Sequence, residues 1–223
     1  MRAALVFDLD GTLIDSQPDI HAAANRLLAE EGLPTLSYAA VRGMIGYGVP
    51  HLIDHLLAAA GVPADPARAA LLVRRYEAGY EDAVDLTRPY PWVPETLERL
   101  ASAGHPMGLC TNKPMAAVRS VLAHLRLAQF FPVIVAGDSL PLRKPDPAPL
   151  HTAIAALGGG VAAYVGDHEV DALTARAAGV SFILYTEGYR MTPAIDLCEC
   201  AFADWQALPA MVAEGSVPGA GGI

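Results

Sequence analysis

Short apolar runs alternate with helix-length segments along most of this chain, and that alternation restricts the fold more than any other feature. The apolar runs cover residues 3–7, 107–110, 133–136, 162–165 and 181–185. Helix-length segments lie at residues 94–103, 114–125, 147–157 and 170–178. Pro94 and Pro114 suit the first turn of a helix, and Gly104 and Gly179 suit the position after the last turn. Buried strands that alternate with helices predict an α/β fold, a parallel sheet with helices on both faces.

Residues 18–86 interrupt this alternation, because they contain helical patterns and no strand-like run. Three Ala- and Leu-rich segments stand there, at 21–30, 49–60 and 66–80. They predict a small helical domain inserted after the first strand, with residues 87–91 as a return linker stiffened by prolines. The expected domains are an α/β core at 1–16 and 87–214, a helical domain at 17–86 and a frayed tail at 215–223.

The composition excludes several classes of protein. With 53% hydrophobic and 17% charged residues, the chain is too apolar for intrinsic disorder. Its net charge of -9 opposes the basic surface that nucleic-acid binding needs, and no apolar run approaches the ~20 residues of a membrane span. The three cysteines lack the spacing of a disulfide framework or a zinc site. We expect a cytoplasmic protein without nucleic-acid or membrane partners, in which an anionic substrate would need local positive charge.

Polar side chains follow four of the predicted strands. They are Asp8, Asp10 and Thr12, then Thr111, Asn112 and Lys113, then Arg143, Lys144 and Asp146, and finally Asp167 and Asp171. In a parallel sheet the ligand site lies beyond the carboxyl ends of the strands, so we expect these side chains to meet. Taken singly, Asp167 is better explained as a turn former or helix N-cap, and Lys144 as a solvated charge. Crowded carboxylates repel unless a divalent cation balances them, and hard oxygen ligands suit Mg²⁺.

Four segments carry a family resemblance, in chain order. They are 8–16 (DLDGTLIDS), 111–114 (TNKP), 144–147 (KPDP) and 166–171 (GDHEVD). They resemble the four motifs of the haloacid dehalogenase superfamily, and the helical insertion resembles the cap of its first subclass. The resemblance implies a Rossmann-like core with a small α-helical cap domain inserted after the first strand.

Three further segments are similar to the phosphoglycolate phosphatases of that superfamily, namely 42–48 (RGMIGYG), 90–97 (YPWVPETL) and 137–150 (GDSLPLRKPDPAPL). One position departs from that family, because His168 stands where the family usually carries Ser. Asp167 and Asp171 are intact, so the departure concerns only the outer surroundings of a metal. The resemblance implies a Mg²⁺-dependent phosphatase of a small phosphomonoester, with 2-phosphoglycolate as the expected substrate.

The resemblance also implies catalytic roles. Asp8 would attack phosphorus and form an aspartyl-phosphate, while Asp10 would protonate the leaving alkoxide and then activate water. Thr111 and the backbone N–H groups around Asn112 would hold the phosphoryl oxygens. Lys144 would pair with Asp8 and the phosphate, keeping two anions from repelling.

The metal ligands implied by the resemblance are the Asp8 carboxylate, the backbone carbonyl of Asp10 and the Asp167 carboxylate. Asp171 would support the metal through water or through a hydrogen bond to Lys144.

Two features of the inserted domain each keep two interpretations. The loop at 42–48, with Arg42 and Gly43, is either a substrate-specificity loop that descends over the site or a plain connection between helices. His51 and His55 have the i,i+4 spacing of a helical zinc pair, but no third ligand follows, which favours two exposed histidines.

Other functions also stay open. A sugar-phosphate mutase similar to β-phosphoglucomutase would keep Asp8 and Asp10 but return the phosphoryl group to its substrate. A phosphatase of another small metabolite would keep every motif, whereas a dehalogenase would need neither Asp10 nor a metal. Outside the enzymes, a non-catalytic binding module would retain the motifs without activity. We expect a monomer or homodimer that acts on a small phosphorylated metabolite.

Overall fold

A six-stranded sheet forms the centre of the protein in a computed structural model, which describes residues 3–63, 65–160, 162–198 and 200–213. The described strands are β1 (Ala4–Phe7), β2 (Ile14–Asp15), β3 (Arg88–Pro89), β4 (Met107–Cys110), β5 (Val133–Val135), β6 (Ala162–Gly166), β7 (Ser181–Tyr185) and β8 (Ala201–Phe202). Six of them pair in the order β5-β4-β1-β6-β7-β8, and every pairing in this sheet is parallel. The predicted fold class is therefore confirmed.

The described α-helices surround this sheet and fill the insertion. They are α1 (Gln17–Glu30), α2 (Tyr38–Arg42), α3 (Val49–Ala59), α4 (Pro66–Tyr80), α5 (Val93–Ser102), α6 (Met115–His124), α7 (Ala148–Ala156), α8 (Glu169–Ala178) and α9 (Leu208–Ala213). The helices predicted at 94–103, 114–125, 147–157 and 170–178 correspond to α5, α6, α7 and α8.

Strand β1 lies at the centre of the sheet and is buried on both faces. Leu5 is in register with residues of β4 and β6, which places the end of β1 between two other strand ends. Leu5 and Phe7 pack in one apolar cluster, together with Leu97 of α5, whereas Val6 packs in a second cluster on the opposite face. A strand covered on both faces must be apolar at every position, which explains the unbroken run that the sequence shows.

A third apolar cluster joins helices α1 to α4 and forms the interior of the insertion. Its buried members include Leu28 of α1, Ile53 of α3, and Leu72 and Tyr76 of α4. Tyr189, from the loop after β7, packs against the same cluster, so the insertion rests on the α/β core.

The structure differs from the sequence prediction in its shortest elements. Residues 87–91 were expected to be a linker, but they contain β3, which pairs antiparallel with β2 through Ile14 with Pro89 and Asp15 with Arg88. Strand β8 and helices α2 and α9 were also not predicted. Elements of two to six residues are too short to show a periodicity, so tertiary contacts decide them.

The predicted domain boundaries remain predictions, and we propose that the chain leaves and re-enters the core at the β2–β3 pair. The predicted tail at 215–223 lies outside the described residues.

Within the described ranges, every helix is too short or too polar to cross a bilayer. Cys110, Cys198 and Cys200 are free thiols, as the sequence predicted.

Asp19 ties the first helix of the insertion to the returning chain. Its buried Oδ2 accepts hydrogen bonds from the Thr87 backbone N–H at 2.7 Å and the Thr87 hydroxyl at 2.6 Å, and from the Leu86 N–H at 3.1 Å. Because three donors bond to this one buried oxygen, Asp19 holds helix α1 and the returning segment at Leu86 and Thr87 together.

We expect Asp19→Ala to lower the free energy of unfolding by about 3 kcal/mol, because the buried Thr87 N–H and hydroxyl would lose their acceptor and the part-buried Leu86 N–H would lose its own. Thr87→Val removes one of the hydrogen bonds and should cost about 1 kcal/mol. Urea unfolding followed by circular dichroism measures both changes. The control is Glu98→Gln on the exposed face of α5, for which about 0.5 kcal/mol or less is expected. An equal effect of Asp19→Ala and Glu98→Gln would contradict this role.

Candidate active site at the carboxyl ends of the strands

A cavity lies where the carboxyl ends of β1 and β4 face the helical insertion. It holds about 460 Å³ of empty space, including its opening to solvent. Asp8 and Asp10 line it after β1, and Thr111, Asn112 and Lys113 line it after β4. The insertion supplies the opposite wall, which is formed by Ile20, Ile45, Gly46, Gly48, Val49, Leu52, Tyr76 and Tyr80. The structure thus brings together side chains that the sequence predicted to meet.

Three buried carboxylates converge beside the Asp8 end of this cavity. Asp8, Asp167 and Asp171 each offer one oxygen atom, and these atoms lie within 4.8 Å of one another. Burial raises the pKa of Asp8 to about 7, although the charge of Lys144 opposes the rise. Burial, with the charges of Asp171 and Asp8, raises the pKa of Asp167 well above its ordinary range. Such a cluster is stable in its ionised form only with more positive charge than the protein itself provides.

Lys144 supplies the positive charge within this cluster. Only 2% of the residue is exposed, and its Nζ lies 2.9 Å from Asp8 Oδ1 and 2.7 Å from Asp171 Oδ1. Nζ also donates to the Tyr164 hydroxyl at 2.9 Å. Burial works to lower the pKa of Lys144, but the charges of Asp171 and Asp8 outweigh it and hold the pKa above its ordinary value. Lys144 is therefore a permanent cation between two carboxylates.

Asp171 is held by the start of α8. Its Oδ2 accepts from the backbone N–H groups of Asp167 at 3.2 Å and His168 at 3.0 Å, which completes a capping box at the helix N-terminus. Its Oδ1 accepts from Lys144 and from the Tyr164 hydroxyl at 2.9 Å. The hydrogen bond between Asp171 and Lys144, one of the two expected arrangements, is present.

The Asp167 carboxylate is held by two hydrogen bonds and by the backbones of two loops that lie close to it. The Thr12 hydroxyl and the Tyr189 N–H each donate to it at 2.6 Å. A Cβ at Gly11 would lie 2.4 Å from Asp167 Oδ2, and a Cβ at Gly188 would lie 2.3 Å from the same carboxylate. Gly11 also has a φ of +86°, which a side chain would strain. Glycine at these two positions is what allows the loops to close around Asp167.

Asp10 is not a member of the carboxylate trio and has its own cation, Lys113. Its Oδ1 accepts from the Ser16 hydroxyl at 2.5 Å and from Lys113 Nζ at 2.9 Å. Lys113 is buried and also donates to the Tyr80 hydroxyl of α4. Sequence reasoning noted Lys113 at a strand end without assigning it a role, and it missed Tyr80, since nothing in the pattern of α4 indicates which face meets the core.

Asn112 joins the core to the loop of the insertion. Its amide nitrogen donates to the Gly46 carbonyl at 3.1 Å and the Lys144 carbonyl at 3.0 Å, and its Oδ1 accepts from the Lys144 N–H at 3.0 Å. The side chain of Asn112 is therefore fully engaged in hydrogen bonds within the protein. The Thr111 hydroxyl accepts from the Lys113 N–H at 3.3 Å and faces the cavity.

The loop at 42–48 meets the site through its second half. Arg42 donates to the Gly188 carbonyl and lies 5.6 Å from the Tyr189 ring, so it is directed at the core and does not line the cavity. Gly43 does not line it either, whereas Gly46 and Gly48 do. Substrate binding by Arg42 and Gly43 stays a prediction.

His168 and the histidine pair of α3 form a contact between the core and the insertion. His168 Nδ1 accepts from the Val170 N–H at 3.2 Å, which caps α8 in the position of the usual Ser. The Tyr47 ring lies between His168, at 5.4 Å, and His51, at 4.8 Å. His51 and His55 stack at 3.9 Å. Within the described ranges, the candidate metal group is the acidic trio, and it contains no histidine.

Comparisons with known proteins agree with this architecture. The family model for haloacid dehalogenase-like hydrolases matches residues 5–185. A phosphoglycolate phosphatase of Cereibacter sphaeroides is 54% identical over 86% of this chain and 89% of its own length. The phosphoglycolate phosphatase of Rhodobacter capsulatus is 44% identical over 95% of this chain and 97% of its own. A crystal structure of a predicted phosphoglycolate phosphatase from Haemophilus somnus superposes with a TM-score of 0.87 at 29% identity, covering 94% and 97% of the two chains.

The raised pKa values of Asp8 and Asp167 predict how stability depends on pH. Both lie above the ordinary value of 3.8, so the folded protein holds protons that the unfolded chain releases. The stability that Asp8 contributes is complete below about pH 4 and is lost as the pH rises through about 7, and the raised pKa of Asp167 acts in the same direction. A divalent cation binds the ionised carboxylates and should therefore raise Tm more at about pH 8 than at about pH 5.

Differential scanning calorimetry with EDTA and with Mg²⁺ at the two pH values measures this difference. Asp167→Asn should abolish most of the Mg²⁺-induced rise, whereas the exposed Asp54→Asn of α3 should retain it. A Tm rise of the same size at both pH values would contradict the assignment of a cation site to this cluster.

Proposed function

This chain belongs to the haloacid dehalogenase-like hydrolase family, and from that premise we propose that it hydrolyses 2-phosphoglycolate to glycolate and phosphate through an aspartyl-phosphate. It is a phosphoric monoester hydrolase, and phosphatases of this kind act on small phosphorylated substrates. The observation that carries the proposal is the placement of Asp8, between the cavity and a buried cluster of Lys144 and two further carboxylates.

Asp8 is positioned to act as the nucleophile. It follows the central strand directly, so its backbone is held by the sheet, and its side chain lines the cavity. In the first step one carboxylate oxygen of Asp8 bonds to phosphorus while the bond from phosphorus to the ester oxygen breaks. Lys144 lies 2.9 Å from Asp8 and compensates the charge that the phosphate brings to the site.

Asp10 is positioned to move the proton. When protonated, its carboxyl donates to the departing alkoxide, and the resulting carboxylate then takes a proton from the water that attacks the phospho-enzyme. That attack releases inorganic phosphate and restores the Asp8 carboxylate. Lys113 and the Ser16 hydroxyl both contact Oδ1 of Asp10, which fixes the orientation of the carboxyl and leaves Oδ2 for the reaction.

The residues present fit a divalent cation. Three buried carboxylate oxygens share a site with one ammonium group, and hard oxygen donors of this kind suit Mg²⁺. Asp8, Asp167 and the backbone carbonyl of Asp10 would hold the ion, while Asp171 would keep Lys144 and the loop before α8 in place. When bound, Mg²⁺ would neutralise the charge that accumulates on the phosphoryl oxygens.

Asp8→Asn should lower kcat for 2-phosphoglycolate by about 10⁴-fold or more, because the amide is a poor nucleophile. The variant should fold, since burial disfavours the Asp8 charge and an amide avoids it. Phosphate release measures the activity, and Tm reports folding. Asp54→Asn serves as the matched control and should keep full activity. Appreciable Mg²⁺-dependent hydrolysis by Asp8→Asn would rule out Asp8 as the nucleophile.

A substrate comparison tests the identity of the ester. We expect kcat/KM for 2-phosphoglycolate to exceed that for glucose phosphates by about 100-fold or more, since the cavity is small and its insertion side is mainly apolar. Inorganic phosphate release is measured for a panel of small esters, with and without a sugar bisphosphate. Transfer of phosphate to a sugar phosphate in place of its release would identify a mutase.

A further inference from the structure

The Tyr76 hydroxyl is a buried polar group without a partner. Only 3% of the residue is exposed, and its hydroxyl makes no hydrogen bond in the structure. Tyr76 lines the same cavity as Asp8 and Asp10. Buried hydroxyl groups are almost always satisfied, so an orphan that faces a ligand cavity indicates that the ligand is its partner.

The position of Tyr76 is fixed by its neighbours. It lies one helical turn before Tyr80 on α4, and the two rings stack with centroids 5.2 Å apart and an interplanar angle of 26°. The Tyr80 hydroxyl is in turn bonded to Lys113, which anchors the pair to the core. A ring held by stacking cannot rotate freely to find another partner, so the Tyr76 hydroxyl is presented rigidly.

Lys113 places a cation on the core side of the same cavity. Its ammonium group has three N–H donors, and two of them bond to Asp10 Oδ1 and the Tyr80 hydroxyl. The third has no hydrogen-bond partner among the described residues, and Nζ lies 4.4 Å from the centroid of the Tyr80 ring. Of the described residues that line the cavity, Lys113 is the only one with a cationic side chain.

The insertion side of the cavity has few polar groups that could bind a polar substrate. Among the described residues, the insertion brings only two polar side-chain atoms to the cavity, the hydroxyls of Tyr76 and Tyr80. Its other lining side chains are Ile20, Ile45, Val49 and Leu52. A phosphorylated polyol would leave several hydroxyl groups unpaired against this surface, whereas one compact anionic group would find a donor and a cation.

We propose that Tyr76 is a specificity-determining residue, whose hydroxyl, together with the Lys113 ammonium, receives a carboxylate at the end of the substrate remote from the phosphate. The proposal rests on the function proposed above and names the residue that would make a two-carbon phosphorylated acid the preferred ester. Burial keeps the pKa of Tyr76 well above its ordinary value, so the hydroxyl remains a hydrogen-bond donor at neutral pH. The Tyr76 hydroxyl lies on the insertion and Asp8 lies on the core, so the insertion and the core must both contact the same small molecule.

The test compares Tyr76→Phe with the unaltered enzyme on two esters, 2-phosphoglycolate and ethyl phosphate, which lacks the carboxylate. We expect kcat/KM for 2-phosphoglycolate to fall by about 10- to 100-fold, mainly through KM, while the value for ethyl phosphate stays within about twofold. The Tm should not fall, because the deleted hydroxyl has no partner in the protein. Tyr38→Phe, on a half-exposed ring of α2, is the matched control and should change neither ester.

Three results would overturn the inference. If Tyr76→Phe affects both esters equally, or lowers Tm, the hydroxyl has a structural role. If the variant keeps the full preference of the unaltered enzyme for 2-phosphoglycolate, the carboxylate is recognised elsewhere and the proposed function stands. If the unaltered enzyme shows no preference between the two esters, the proposed substrate fails as well.

Discussion

The contact between Lys144 and the carboxylates of Asp8 and Asp171 is the interaction on which the rest of the site depends. One buried ammonium lies within 2.9 Å of two carboxylates, and a third carboxylate, Asp167, completes the group. Removing one partner of such a buried pair leaves an uncompensated charge, so the arrangement tolerates little change. Tyr164 and the N-terminus of α8 supply the further hydrogen bonds that keep Lys144 and Asp171 in register.

The fold makes this cluster possible by bringing loops that are distant in sequence to one place. Parallel strands end at the same side of the sheet, so Asp8 after β1 and Asp167 after β6 become neighbours although 159 positions separate their numbers in the chain. Gly11 and Gly188 then allow the backbone to approach Asp167 more closely than any side chain would permit. The helical insertion closes the opposite side and presents tyrosines where the core presents charges.

Charge is organised in two separate sets within this small volume. Lys144 lies with Asp8 and Asp171, while Lys113 lies with Asp10. A chain with a net charge of -9 thus places two buried lysines beside the carboxylates of the site, and one of them, Lys113, lines the cavity. The excess of acidic residues therefore does not exclude an anionic substrate, because part of it forms a cluster suited to a cation.

The sequence by itself determined five of the six strands of the sheet, the long helices and the residues at the strand ends, because apolar periodicity and loop chemistry are local properties that residues such as Asp8, Asn112 and Asp167 display directly. It also determined that a helical insertion follows the first strand. It could not show the β2–β3 pair, which is too short to have a pattern, or the direction of Arg42, which the loop at Gly188 decides. Only the tertiary structure brought Lys113, Tyr76 and Tyr80 to the cavity wall, because packing between the helical insertion and the strand ends selects which face of a helix meets the cavity.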